Sequence, residues 1–279
     1  MGKKHSLVIK SSGETEDFSK EKLASSLVSS GISPKEAGTI TKSIRETLGG
    51  KIYSSDIHKK VLQTLMRKKR LFAARYNLRR GVMELGPTGH PFEAFIAEIF
   101  NLKGYKTKTN QIIQGRCISY EIDIVAEKGD EVDFIEAKFH NQLGIKSDVK
   151  VALYVYARFL DIKSRYASIQ PSKEYKAFLV TNTKLTSEAI RYAQCVGMSV
   201  IGWNYPPREN LQFLIERFHL HPIPSLVSLT REEKERFFEK KIVLCKQVYE
   251  HPSILSSLGF TAPRARALME EIKELMEYY

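Results

Sequence analysis

Apolar residues recur at helical spacing through the first third of the chain and switch to strand alternation near its middle. Leu7-Val8-Ile9-Lys10 reads as a short strand, Ser11-Ser12-Gly13 turns it, and Glu16-Asp17-Phe18 begins a second. Ser19 is placed to cap a helix from about Lys20, with Leu23, Leu27 and Val28 as its apolar stripe. Ser33-Pro34-Lys35-Glu36 is a capping box with proline at the first helical position, and Ala37, Ile40, Ile44 and Leu48 follow at helical spacing until Gly49-Gly50. Ser54 or Ser55 caps a third helix through Ile57, Val61, Leu62 and Leu65, and a fourth runs over about 71–85. Residues 85–91 hold two prolines and two glycines and read as a linker.

Beyond the linker the periods alternate. Residues 92–100 form an amphipathic helix; 121–125 and 134–138 alternate apolar with charged and predict two strands joined at Lys128-Gly129-Asp130. A long helix over 148–167 carries Val151, Leu153, Val155, Phe159 and Ile162. Strand 177–182, helix 187–196 and strand 199–203 make a parallel βαβ unit. Pro206-Pro207 and His221-Pro222-Ile223-Pro224 mark the next boundary, after which only small helices are predicted, one opened by a capping box at Thr230 and Glu233. The expectation is a multidomain α/β protein of three units: 1–86, mainly helical; 87–205, an α/β core with a mixed sheet; and 206–279, all helical.

Composition narrows the chemistry. A 42% apolar fraction suits a globular protein, and a net charge of +12 favours polyanionic partners. Residues 1–85 contribute most of that charge, with 18 Lys and Arg against 8 Asp and Glu. Cys117, Cys195 and Cys245 form no CxxC pair, which argues against structural zinc or disulfides and suits the cytoplasm. No apolar run approaches the ~20 residues of a membrane span. No Walker-type phosphate loop is present, so nucleotide hydrolysis by that route is not expected.

One constellation stands apart. Glu136 and Lys138 point the same way from a strand whose other face, Ile135, Ala137 and Phe139, is apolar. Charges in such a strand cost stability unless something engages them. A divalent cation and a phosphate would do so; a surface ion pair on an edge strand is the plainer alternative. Asp123, 13 residues before Glu136, can meet it across the hairpin, and Glu93 approaches from the preceding helix, which also carries Glu98. Glu121 and Asp133 are expected on outer faces, Trp203 in the core, and Asp148 or Ser147 as a helix cap rather than a phosphate contact. His219 and His221 lack partners at ligand spacing and read as packing residues.

These residues carry family resemblances. Phe92-Glu93, Gly104-Tyr105-Lys106, Ile122-Asp123-Ile124 and Ile135-Glu136-Ala137-Lys138 resemble the restriction-endonuclease-like superfamily with its D…(D/E)xK signature. Phe178 to Thr183, Ser187-Glu188-Ala189 and Gly197 to Ile201 resemble its Mrr-type branch. The resemblance implies that Asp123 and Glu136 hold Mg²⁺ or Mn²⁺, that Lys138 is catalytic and that Glu93 is an accessory carboxylate. Val8, Lys10, Gly13, Glu16, Phe18, Lys22 and Leu23, with Ile52 to His58 and Tyr76, resemble the ATP-cone, a regulatory nucleotide-binding domain. It implies that Lys10 and Lys22 hold phosphates, that Ser54 and His58 contact ATP or dATP, and that Glu16 lies near base or sugar, with Val8 in the same motif. The turn reads Lys10-Ser11-Ser12-Gly13 where the family has Lys-Arg-Asp-Gly. Leu258-Gly259-Phe260-Thr261 with Arg264 and Arg266 resembles a helix–hairpin–helix that grips DNA phosphates. A plain helical packing module is the alternative there. Together the resemblances imply a Mg²⁺-dependent DNA endonuclease regulated by ATP or dATP, and a homo-oligomer as in other cone proteins. The alternative is a nucleotide-responsive DNA-binding regulator without nuclease activity.

Overall fold

The computed structural model describes residues 6–10, 13–86, 89–142 and 144–278. The expected turn at Ser11 and Ser12 and the middle of the linker, Pro87 and Thr88, lie outside the described residues. The chain divides into two compact units: Met1–Glu84 with Gln142–Gly144 and His221–Tyr279, and Leu85–Asn141 with Ile145–Leu220. Residues 206–220 cluster with the central segment, and the remaining C-terminal residues with the N-terminal segment. Among the described residues no helix is long and apolar enough to cross a membrane.

In the first unit β1 (Ser6–Ile9) lies between antiparallel β2 (Thr15–Asp17) and parallel β3 (Gly50–Tyr53). Four helices follow the sequence reading closely: α1 (Lys20–Ser29), α2 (Pro34–Glu46), α3 (Ser54–Lys68) and α4 (Arg70–Met83). The Ser19 hydroxyl accepts the Lys22 N–H at 3.1 Å, and the Ser33 hydroxyl accepts that of Glu36 at 3.3 Å, so both hydroxyl caps form, while the Glu36 carboxylate takes Lys68 at 2.6 Å. The expected serine cap on α3 does not form. Tyr53 holds the N-cap position, because β3 runs directly into the helix. Leu27, Ile40, Val61 and Leu65 fill the core, while Val28 turns outward.

The second unit is built on a mixed sheet. Its elements are α5 (His90–Leu102), β4 (Lys106–Gln114), β5 (Ser119–Lys128), β6 (Glu131–Lys138), β7 (Lys146–Ser147), α6 (Val149–Ile169), β8 (Glu174–Thr181), β9 (Lys184–Leu185), α7 (Ser187–Val196), β10 (Ser199–Ile201) and α8 (Leu211–Arg217). Strand order is β10-β8-β6-β5-β4, antiparallel from β4 to β6 and parallel from β6 to β10. The expected hairpin and βαβ unit are both present. The edge strand β4 is the longest element here that the sequence pattern missed: its residues are largely polar and exposed, so it shows little alternation. Phe134, Leu179 and Val200 share one core with Val155 and Phe159 of α6 and Ala189 of α7. On the opposite face α5 packs through Phe100 on Phe178, ring centroids 5.4 Å apart, and through Phe92 on Phe139 at 5.5 Å. Trp203 is buried as expected.

The C-terminal segment returns to the first unit. After a single 3-10 turn at Ile223–Ser225 come α9 (Arg231–Glu239), α10 (Cys245–Glu250), α11 (Ser253–Ser257) and α12 (Ala262–Met276). The Thr230–Glu233 capping box forms in both directions. Phe237, Val248, Leu268 and Ile272 pack with Leu71 and Ala74 of α4 in one core. One helix thus serves both the N-terminal and the C-terminal parts of this unit.

Candidate active site

The ladder between β5 and β6 runs from Lys128↔Glu131 to Ile124↔Ile135 and stops there. Asp123, next along β5, replaces the ladder with its side chain, which accepts the Ala137 N–H at 2.7 Å. Asp123 and Glu136 line one open cavity of about 680 Å³, together with Glu121, Tyr120, Tyr154 and Arg158. Burial and then the negative charge of Glu136 push the Asp123 carboxyl up to about 7; the Ala137 N–H opposes them, and Glu93 adds a smaller upward push.

Arg158 answers part of that need. Asp148 caps α6, accepting from the N–H groups of Lys150 at 3.0 Å and Val151 at 3.3 Å, as expected. The helix then turns Val155, Arg158, Phe159 and Ile162 inward. Arg158 Nη1 donates to Glu136 Oε2 at 2.8 Å, and Nη2 donates to the Glu121 carbonyl. Its guanidinium lies over the rings of Tyr120 and Tyr154, 5.6 and 5.2 Å from their centroids. The sequence reading did not single out Arg158. The available signal was an arginine at a stripe position between Val155 and Ile162, where an apolar residue belongs.

Lys138 closes β6, exposed and on the pleat face of Glu136, beyond the cavity lining. Glu93 sits in the first turn of α5 with its side chain mostly buried, 3.2 Å from His90 Nδ1. The chain leaving Lys138 is clamped: fully buried Asn182 accepts the His140 N–H at 2.8 Å and donates to its carbonyl at 2.7 Å. The Ser147 hydroxyl bridges His140 Nε2 and the Thr181 hydroxyl, each at 3.1 Å. Burial, and then the Lys138 charge, lower the His140 pKa.

Among the described residues no three His, Cys, Asp or Glu side chains gather as a metal cluster. Mg²⁺ keeps several waters and is commonly held by one or two carboxylates, so Asp123 and Glu136 suffice as a donor set. Both carboxylates line the same open cavity, so the donors fit such an ion.

Of the expected nucleotide-site residues, Lys10, Glu16 and Lys22 come together: both lysines reach Glu16, at 3.2 and 2.8 Å. Ile9↔Tyr53 pairing puts Lys10 and Ser54 one residue past the same rung. His58, one turn into α3, stacks on Tyr76 at 4.9 Å and meets Asn77 Oδ1 through Nε2 at 3.3 Å. The Asn77 amide nitrogen donates to the carbonyls of Pro224 and Ser225, so its oxygen accepts and His58 Nε2 carries the proton. Burial and then the Arg80 charge push His58 down to about 4. Val8 is in the core, paired with Glu16 and Ile52.

Two expectations are corrected. Asp133 is not on an outer face: it has no exposed surface and neither carboxylate oxygen is hydrogen-bonded. Arg264 is not held out for phosphate, because it forks onto Glu233 at 2.8 and 2.6 Å and donates to the Ser228 carbonyl at 2.6 Å. Arg266 is exposed.

Comparison with known proteins places these parts. The family model described as ATP cone domain matches residues 6–81, so this segment is an ATP-cone. The model described as AF1548-like, C-terminal, matches residues 221–276; this module is not specifically a helix–hairpin–helix, which corrects that expectation. An uncharacterized protein of Archaeoglobus fulgidus is 36% identical over 182 residues, covering 65% of this chain and 99% of that protein. The crystal structure of a protein of unknown function, AF1548, matches with 34% identity and a TM-score of 0.51, covering 67% of this chain and 97% of that one. A repair endonuclease from Pyrococcus abyssi matches with 19% identity and a TM-score of 0.29, over 39% of this chain and 45% of that one.

Proposed function

This chain belongs to the AF1548-like family and carries an ATP-cone domain, and from that premise we propose that it is a Mg²⁺-dependent DNA endonuclease regulated by ATP or dATP. The observation that carries the reading is the pair Asp123 and Glu136, on neighbouring strands and facing one cavity, with Lys138 two residues further along the same strand face.

In this reading Asp123 and Glu136 hold the divalent ion, which when bound polarises the phosphodiester and acidifies a water. Lys138 orients that water, takes up its proton and offsets charge on the phosphate. Glu93 supports Asp123 from α5, near enough to influence its charge. Asn182 fixes the backbone on which Lys138 stands. The net charge of +12 supplies the attraction for DNA. Nucleotide at the cone, held by Lys10 and Lys22 with Ser54 and His58, is the regulatory ligand.

The test is nicking of supercoiled plasmid with Mg²⁺, with and without ATP. Cleavage is expected from the natural chain and should fall at least about 100-fold in E136A and K138A proteins that still bind DNA. One observation favours the second reading, a DNA-binding regulator: the Glu136 carboxylate already has Arg158 as a counter-ion. Tight binding without nicking across metals and nucleotides would establish that reading instead.

A further inference from the structure

Arg158 is a buried cation lining a cavity that also holds the carboxylates of Glu121, Asp123 and Glu136. Burying a guanidinium is costly, and an apolar residue of similar volume packs as well or better where no charge is needed. Here the charge is aimed. One nitrogen holds Glu136 at 2.8 Å, another holds the Glu121 carbonyl, and Tyr120 and Tyr154 cover the guanidinium plane. Its Nε is buried with no hydrogen-bond partner, so the group is not placed to maximise its own bonding. The Glu136 side chain meanwhile keeps 22% of its surface, enough for a ligand to reach.

We propose that Arg158 acts as a resident counter-cation for Glu136. By competing for the carboxylate it keeps the cavity's affinity for divalent cations low. The inference rests on the nuclease reading only in taking Asp123 and Glu136 as cation ligands.

The consequence is directional. A residue that merely braced the fold would weaken cation binding when removed; a competing cation strengthens it. The test is calorimetric titration of the full chain with Mn²⁺ alone, beside thermal melting. R158M, which keeps volume and removes charge, should bind Mn²⁺ about tenfold or more tightly than the natural chain. R158K, which keeps the charge, should stay close to the natural affinity, and E136Q in the R158M background should abolish the gain. R158Q serves as the second neutral variant if R158M does not fold. Unchanged or weaker Mn²⁺ binding in a folded neutral variant overturns the proposal, as does equal tightening in R158K. Tighter Mn²⁺ binding with no DNA cleavage by any variant would uphold it and overturn the nuclease reading.

Discussion

Asp133 shows what a single buried charge does to this fold. Its carboxyl is pushed up to about 7 from an ordinary 3.8, first by burial and then by Glu131, with Lys176 and Lys103 opposing. The Lys176 ammonium is drawn onto Glu131 and Glu174 instead. Because the folded value lies above the unfolded one, the unfolded chain gives up this proton first, and stability falls as pH rises from about 4 to about 7, then levels. The full loss is of the order of 4 kcal/mol. D133N should therefore be clearly more stable than the natural chain in urea denaturation at pH 8, with the difference vanishing near pH 4. The residue was misread for a physical reason. Alternation puts Asp133 on the apolar face of Ile135 and Ala137, which α5 covers, but its charge argues for an outer position, and the expectation followed the charge. The Asp123, Glu136 and Lys138 spacing was readable because strand alternation fixes which residues share a face. Arg158 comes from a helix 22 residues further on, and only tertiary packing brings it to Glu136.

At the scale of elements, helix ends and long apolar stripes were legible, and their serine, threonine and aspartate caps formed at Ser19, Ser33, Asp148 and Thr230. Polar β4 and the short β3 were not, since pairing rather than apolar periodicity makes them strands. One helix contact depends on a missing side chain. A Cβ at Gly81 on α4 would lie 2.6 Å from the Ser225 nitrogen and 2.8 Å from its Cα, and backbone cannot easily yield. G81A should lower stability by about 1–3 kcal/mol. Gly38 on α2 faces open space, so G38A should raise it by about 0.5–1 kcal/mol. Thermal melting of the two variants side by side checks both signs.

For the whole molecule, the cone should report on its ligand. ATP should raise the melting temperature in proportion to the logarithm of its concentration, and a K10A/K22A double variant should lose most of that rise. Calorimetry showing no heat with ATP, dATP or ADP would count against the nucleotide assignment. Proline clusters mark breaks in the chain but do not say which segments share a core. The segment after His221 is covalently distant from α4 yet shares its core, and no local pattern announces a partner some 150 residues away.

That shared helix bears on how the protein is made. The N-terminal helices leave the ribosome first, but the apolar partners of Leu71 and Ala74 lie far downstream, from Ile223 onward. The cone can therefore reach its final packing only after that later segment has been made. During elongation one flank of α4 stays open to chaperones, and a chain released early keeps that sticky surface as a handle for degradation.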